Sequence, residues 1–155
     1  YLPAARFEAE AQVAGEGMPD AVHRGETVLL VEDEVVVRSV TRRYLEHLGY
    51  VVLEAGDGTE AVEMMASIGS PPSLLITDLV MPRMGGLDLA RRLRADYPDL
   101  RVLYISGYTD EAETLTDATG GGDHYLQKPF DARTLAVKVS EALGHHRGGG
   151  REAAD

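Results

Sequence analysis

Asp78 closes the apolar run Leu74-Leu75-Ile76-Thr77. A carboxylate at the end of a buried strand either caps a turn or is presented for chemistry. Three other polar residues stand in the same relation to apolar runs. Asp33 follows Val28-Leu29-Leu30-Val31, Ser106 follows Val102-Leu103-Tyr104-Ile105, and Lys128 follows Tyr125-Leu126. In an open parallel α/β sheet the strand C-termini share one edge, so the four side chains would converge there. Two or three carboxylates in one cleft repel, and they either take up protons or hold a cation. The chain has no cysteine. Oxygen ligands alone select a hard ion, which is magnesium, or manganese or calcium in its place. Lys128 adds a positive charge and Ser106 a hydroxyl donor. A phosphoryl group in transfer needs its equatorial oxygens neutralised and its line of attack fixed, and this set supplies both. The sequence has no Gly-rich phosphate loop followed by Lys-Ser or Lys-Thr, which argues against a bound nucleoside triphosphate. The protein's own carboxylate is then the expected acceptor.

The elements that must position these residues alternate regularly. Val28 to Val31 reads as the first strand. Val37, Val40, Thr41, Tyr44, Leu45 and Leu48 then fall on one helical face, with Arg38, Arg42, Arg43 and Glu46 mostly on the other, and Gly49 stops the helix. Val51 to Leu53 is the second strand. Asp57 and Glu60 have capping-box spacing and open a helix that runs through Ile68. The strand ending at Asp78 lies between Pro71-Pro72 and Pro82 with Gly85-Gly86. Leu87 to Asp96 is a helix that buries Leu89, Ala90 and Leu93. The strand ending at Ser106 precedes a poorly patterned helix, about 109–118. The fifth strand, about Asp123 to Leu126, is short. Asp131 caps a last helix that buries Leu135, Val139, Ala142 and Leu143. Five strand–helix units in alternation imply an α/β fold, a doubly wound five-stranded parallel sheet in the order 2-1-3-4-5.

With 155 residues, the chain suits one domain with a full core. Residues 1–25 read as the end of a preceding domain plus a flexible linker, 26–144 as the folded domain and 145–155 as a disordered tail. His145-His146 reads as a solvated pair. The net charge of −11 argues against nucleic-acid binding. No stretch reaches the length of a membrane span, and the opening residues lack the pattern of an export signal, so no membrane contact and a cytoplasmic setting are expected.

Several separated pieces together resemble the receiver domain of two-component response regulators. They are Glu32-Asp33, Asp78 before Met81-Pro82-Arg83-Met84 and Gly86, Ser106-Gly107, and Lys128-Pro129-Phe130. They occur in order and on the appropriate elements, and the match runs from about Glu26 to Leu143. The resemblance implies a flavodoxin-like receiver fold. It implies that Asp78 accepts a phosphoryl group from a phosphohistidine on a histidine kinase or phosphotransfer domain. Asp33, Asp78 and the Val80 carbonyl would hold magnesium, with Glu32 holding a water of the ion's shell. Lys128 would pair with the phosphoryl oxygens, and Ser106 would move to hydrogen-bond them. Tyr125 stands where the family has a switch aromatic, and the Lys128–Pro129 bond is expected to be cis. Glu32 in place of the commoner Asp, and Ser106 in place of Thr, are mild departures. Val80 and Tyr108 would flank the path of an attacking water.

Each residue alone also has a structural explanation. Glu32, Asp33 and Glu34 would favour a helix dipole. Lys128 would suit a solvated surface, Ser106 a turn, and Tyr125 a half-buried strand. The joint placement overrides these readings for Asp33, Asp78 and Lys128, and leaves both open for Tyr125. Tyr1-Leu2-Pro3 resembles the close of a histidine kinase ATP-binding domain, so the chain is expected to be the C-terminal receiver of a hybrid sensor histidine kinase. The alternatives are a stand-alone receiver acting by partner binding, a non-phosphorylated structural or dimerising pseudo-receiver, and a metal-dependent phosphatase. Against the phosphatase, position 80 carries Val and not a second acid.

Overall fold

The computed structural model describes residues 25–107 and 123–144. The linker, the tail, the helix expected at 109–118 and Tyr108 lie outside the described residues. Five strands, β1 Thr27–Val31, β2 Val51–Ala55, β3 Leu74–Asp78, β4 Val102–Ser106 and β5 His124–Gln127, form one parallel sheet in the order β2-β1-β3-β4-β5. Four helices are described: α1 Val35–His47, α2 Gly58–Ser67, α3 Gly86–Asp96 and α4 Ala132–Ala142.

The two-residue side-chain period of each strand divides the core in two. Leu29, Val31, Leu75 and Tyr104 face α2 and α3, where Ala61, Met65, Leu89 and Leu93 cover them. Val28, Leu30, Ile76 and Leu103 face α1 and α4, where Leu45, Leu135 and Val139 cover them. Both faces of the central strands are therefore apolar, as a doubly wound sheet requires. Within the pattern expected for α1, Thr41 and Leu45 are buried, but Val40 is 39% exposed. The apolar face of α1 is thus narrower at its N-terminal end than the periodicity implies.

The ends of the elements are set locally. Asp57 caps α2 by accepting from the Glu60 N–H at 2.8 Å. The reciprocal half of the capping box lands one residue early, with Glu60 Oε1 accepting from the Gly56 N–H at 2.7 Å. Asp131 caps α4 through the Thr134 N–H at 2.8 Å. Asp123 sits just before β5 and takes two hydrogen bonds from Arg94 of α3, at 2.8 and 3.0 Å. That pair fastens the edge strand to the helix layer.

The register aligns the carboxyl ends. Val31 stands opposite Thr77, Asp78 opposite Ile105 and Ser106 opposite Gln127. Among the described residues no helix is long and apolar enough to cross a membrane.

Leu75 is fully buried on the central strand β3. Leu75→Ala should cost about 2–5 kcal/mol, the range for a buried Leu truncation that leaves a cavity. Urea denaturation should show a lower midpoint with an unchanged slope. A loss under about 1 kcal/mol would mean that this face is loosely packed.

Candidate functional site

Three turns at the carboxyl edge of the sheet bring the site together. The turn after β1 carries Glu32 and Asp33, and its backbone is fixed by the Glu32 N–H donating to Ala55 O at 3.2 Å. The turn after β3 starts at Asp78. It is closed by the Leu79 N–H donating to Ile105 O at 2.8 Å and the Gly86 N–H donating to Leu79 O at 2.9 Å. A Cβ at Gly86 would lie 2.5 Å from the Asp78 carbonyl oxygen, so only glycine lets α3 begin that close to the acid. The turn after β5 carries Lys128, whose N–H donates to Ser106 O at 2.8 Å, and the Lys128–Pro129 bond is cis.

The side chains converge. Lys128 Nζ lies 3.0 Å from Asp78 Oδ2, 3.5 Å from Glu32 Oε1 and 3.7 Å from Glu34 Oε1. The other Asp78 oxygen, Oδ1, accepts from the Val80 N–H at 3.2 Å. Glu32 Oε2 accepts from the Glu34 N–H at 3.1 Å. Glu32, Asp78 and Ser106 are buried, whereas Asp33 is exposed at the mouth. Asp33, Glu34, Asp78, Val80 and Lys128 line an open cleft of about 520 Å³. Val80 is 61% exposed at its rim. Tyr125, on β5, is 41% exposed.

The donors suit a hard cation. One carboxylate oxygen each from Glu32, Asp33 and Asp78 lies within 4.8 Å of the others. Glu32 Oε1 is buried and has no hydrogen-bond partner among the described residues. It sees Lys128 only at ion-pair distance. A buried carboxylate oxygen left in that state is costly, and a cation or its bound water would satisfy it. The electrostatics agree. Burial above all, then the charge of Asp78, pushes the Glu32 carboxyl up from 4.5 to about 7, against the Glu34 N–H and Lys128, which pull it down. Burial alone would lower Lys128, but its hydrogen bond to Asp78 and the charges of Asp78, Glu32 and Glu34 prevail and raise it. The lysine therefore stays charged at neutral pH.

Of the residues expected from sequence, Glu32, Asp33, Asp78, Val80, Ser106 and Lys128 lie at this edge, with Tyr125 on the neighbouring strand β5, and Tyr108 lies outside the described residues. Two participants were not expected. Glu34 reaches Lys128. Arg38, placed by periodicity on the outer face of α1, turns back instead. Its Nη1 donates to Glu32 O at 2.6 Å and its Nε lies 3.4 Å from Glu54 of β2. The only local signal was its position one helical turn after Glu34.

A parallel sheet in this order, with three acids and a lysine gathered at its carboxyl edge, defines the receiver class. Residues 28–140 match the family model for the response regulator receiver domain, and the chain belongs to that family, which serves two-component systems. Its relatives include the sensor kinase CckA of Brucella abortus (strain 2308), 41% identical over 117 residues, which cover 76% of this chain and 12% of that protein. The response regulator MprA of Mycobacterium ulcerans (strain Agy99) is 38% identical over 128 residues, covering 83% of this chain and 54% of that protein. The chain thus spans a small part of the first relative and about half of the second. Among solved structures, the receiver domain from the hybrid histidine kinase CckA is 38% identical with a TM-score of 0.64, covering 76% of this chain and 98% of that chain. A response regulator receiver domain protein from Clostridium thermocellum is 26% identical with a TM-score of 0.69, covering 77% of this chain and 94% of that one.

The raised Glu32 carboxyl sets a pH dependence. Below about pH 4.5 it is protonated in folded and unfolded chain alike. From there to about pH 7 the unfolded chain releases the proton while the folded chain keeps it, so rising pH favours unfolding across that window. In chelator, Glu32→Gln should lack this decline and should exceed wild type at pH 8 by on the order of 1–3 kcal/mol. Denaturant midpoints measured across pH check it, and parallel profiles for the two proteins would refute it.

Proposed function

We propose that this receiver takes a phosphoryl group onto Asp78 from a phosphohistidine on a histidine kinase or phosphotransfer domain. The observation that carries the reading is the placement of Asp78. Its Oδ2 is held 3.0 Å from Lys128 Nζ and its Oδ1 faces the Val80 N–H, among two further acids. An Asp78 oxygen attacks phosphorus. The new P–O bond forms as the P–N bond to imidazole breaks, and the electron pair leaves with the imidazole. The Lys128 ammonium neutralises the phosphoryl oxygens, and the Ser106 hydroxyl donates to them. Glu32, Asp33, Asp78 and the Val80 carbonyl would hold magnesium, which supplies further neutralising charge. Tyr104 and Tyr125 are register partners, as are Ser106 and Gln127, so the pleat puts Ser106 and Tyr125 on one face of the sheet. That supports a role for Tyr125 in reporting movement at Ser106. Val35 and Val36 are exposed near the cleft, and an apolar groove of about 270 Å³ runs from Val36 to Phe130 beside Lys128. This surface suits a donor protein that presents its histidine to Asp78. The likeness to the CckA receiver supports a hybrid sensor histidine kinase as the parent chain. The likeness to the response regulator MprA, of which the match covers about half, supports instead a regulator separate from the kinase, and the phosphoacceptor reading is common to both.

A small phosphoryl donor with magnesium should add one phosphoryl group to wild type and none to Asp78→Asn, whose fold should persist. Magnesium at ten times its dissociation constant should stabilise wild type by about 1.4 kcal/mol, and Asp33→Ala should lose that gain. Intact-protein mass and melting curves read both. Equal labelling of Asp78→Asn would end the reading, and no label on wild type would favour the pseudo-receiver.

The phosphoryl group should persist for minutes or longer. Hydrolysis needs a water in line with phosphorus, and Val80 at the rim has no group to orient one. Val80→Asn should speed loss of label about tenfold, worth roughly 1.4 kcal/mol of barrier. Phosphate release after donor removal measures it, and an unchanged rate would refute the water-access argument.

A further inference from the structure

The turn from Leu79 to Gly85 is closed at its base by the Gly86 N–H bond to Leu79 O. Its tip is held separately. Arg83 has a φ of 69°, and it is the one non-glycine residue in the left-handed region among the described residues. Side-chain-bearing residues keep that conformation where their surroundings fix it. Arg83 reaches across to Asp57, and its Nη2 pairs with Asp57 Oδ2. The other Asp57 oxygen caps α2 through the Glu60 N–H. The neighbouring Met84 lies flat on the first residue of α2, since a Cβ at Gly58 would fall 2.8 Å from Met84 Sδ. Both tip residues of the acceptor turn are therefore seated on the start of α2. That helix contributes no side chain to the acid–lysine cluster. Between tip and base lies Val80, whose N–H holds Asp78 Oδ1.

We infer that Asp57 and Arg83 form a clasp that positions the turn after β3, and with it the Val80 backbone and the Asp78 carboxylate. Both are positioning residues, acting through Val80 and not on a reacting atom. The consequence for magnesium rests on the phosphoacceptor reading, but the tie to the Val80 N–H does not. The Glu60 N–H, and then the Arg83 guanidinium, hold the Asp57 carboxyl below its usual range, so the clasp is charged at neutral pH. The Arg83 side chain is 72% exposed. A pair so open to water adds little to global stability and is screened by salt. What it controls is the local opening of one turn.

Three substitutions separate the clasp from the cap. Asp57→Asn keeps an oxygen for the Glu60 N–H, since Asn caps as well as Asp, and removes only the charge. Arg83→Gln removes the other charge, and Arg83→Lys restores it. In metal-free protein at low salt, Asp57→Asn and Arg83→Gln should each speed hydrogen exchange at the Val80 amide. Calorimetry should show magnesium binding about threefold weaker in each. The double variant should be no worse than either single one, because both remove the same contact. Arg83→Lys should stay near wild type, added salt should move wild type toward the variants, and melting of the chelated proteins should agree within about 2 °C. Unchanged Val80 exchange in both single variants, or additive effects in the double, would overturn the clasp. A wild type that neither binds magnesium nor labels on Asp78 would instead defeat the phosphoacceptor reading, and Val80 exchange would still decide the clasp.

Discussion

The ammonium of Lys128 between the buried carboxylates of Asp78 and Glu32 is the interaction on which the rest of the site depends. Two acids held this close and out of water repel each other, and one cation at 3.0 and 3.5 Å offsets only part of that. Burial above all, with the Asp78 charge added, shifts Glu32 upward, and its Oε1 has no hydrogen-bond partner among the described residues. Once Glu32 is ionised, the domain thus holds a deficit of positive charge at one point of its surface, opening on Asp33 and Val80. Chemistry that brings positive charge relieves it.

The sheet makes that placement possible. Its strands bury both faces in separate apolar layers, so the polar groups have no place within it except at the ends. Arginines then fasten the ends to each other. Arg94 ties α3 to the start of β5, Arg38 ties α1 to the Glu32 carbonyl and to β2, and Arg83 ties the acceptor turn to α2. At Arg94 and Arg38 a guanidinium suits the work because its planar fork serves two acceptors from one rigid group.

Much of this was legible in the sequence. Apolar runs ending in Asp78 and Ser106, and in Lys128 shortly after Leu126, marked the carboxyl edge. Strict alternation of elements left one common topology, and the family resemblance supplied the cis bond before Pro129. What failed to show is non-local or depends on side-chain reach. Helical periodicity placed Arg38 outward by its Cα, but a side chain this long near a helix start can fold back over the preceding turn. Val40 fell on the right face yet lines the open groove that runs to Phe130. Arg83 and Asp57 are 26 residues apart, and nothing near either one marks the pairing. Glu60 had the right spacing for its box but bonded one residue early, because Gly56 turns its N–H toward it.

The wide separation of the site residues along the chain has a kinetic consequence. Asp78 and Lys128 are 50 residues apart, on β3 and just beyond the edge strand β5. No short stretch of chain contains the cluster: Glu32 and Asp78 meet when β1 pairs with β3, and Lys128 joins them when β5 docks on β4. The repulsion among its acids is thus absent from the unfolded chain and arises only with these long-range pairings. Neutralising the cluster acts on contacts between distant segments, which complete the native packing. Where those contacts are absent from the folding transition state, filling the site should leave the folding rate nearly unchanged and lengthen the time each molecule stays folded.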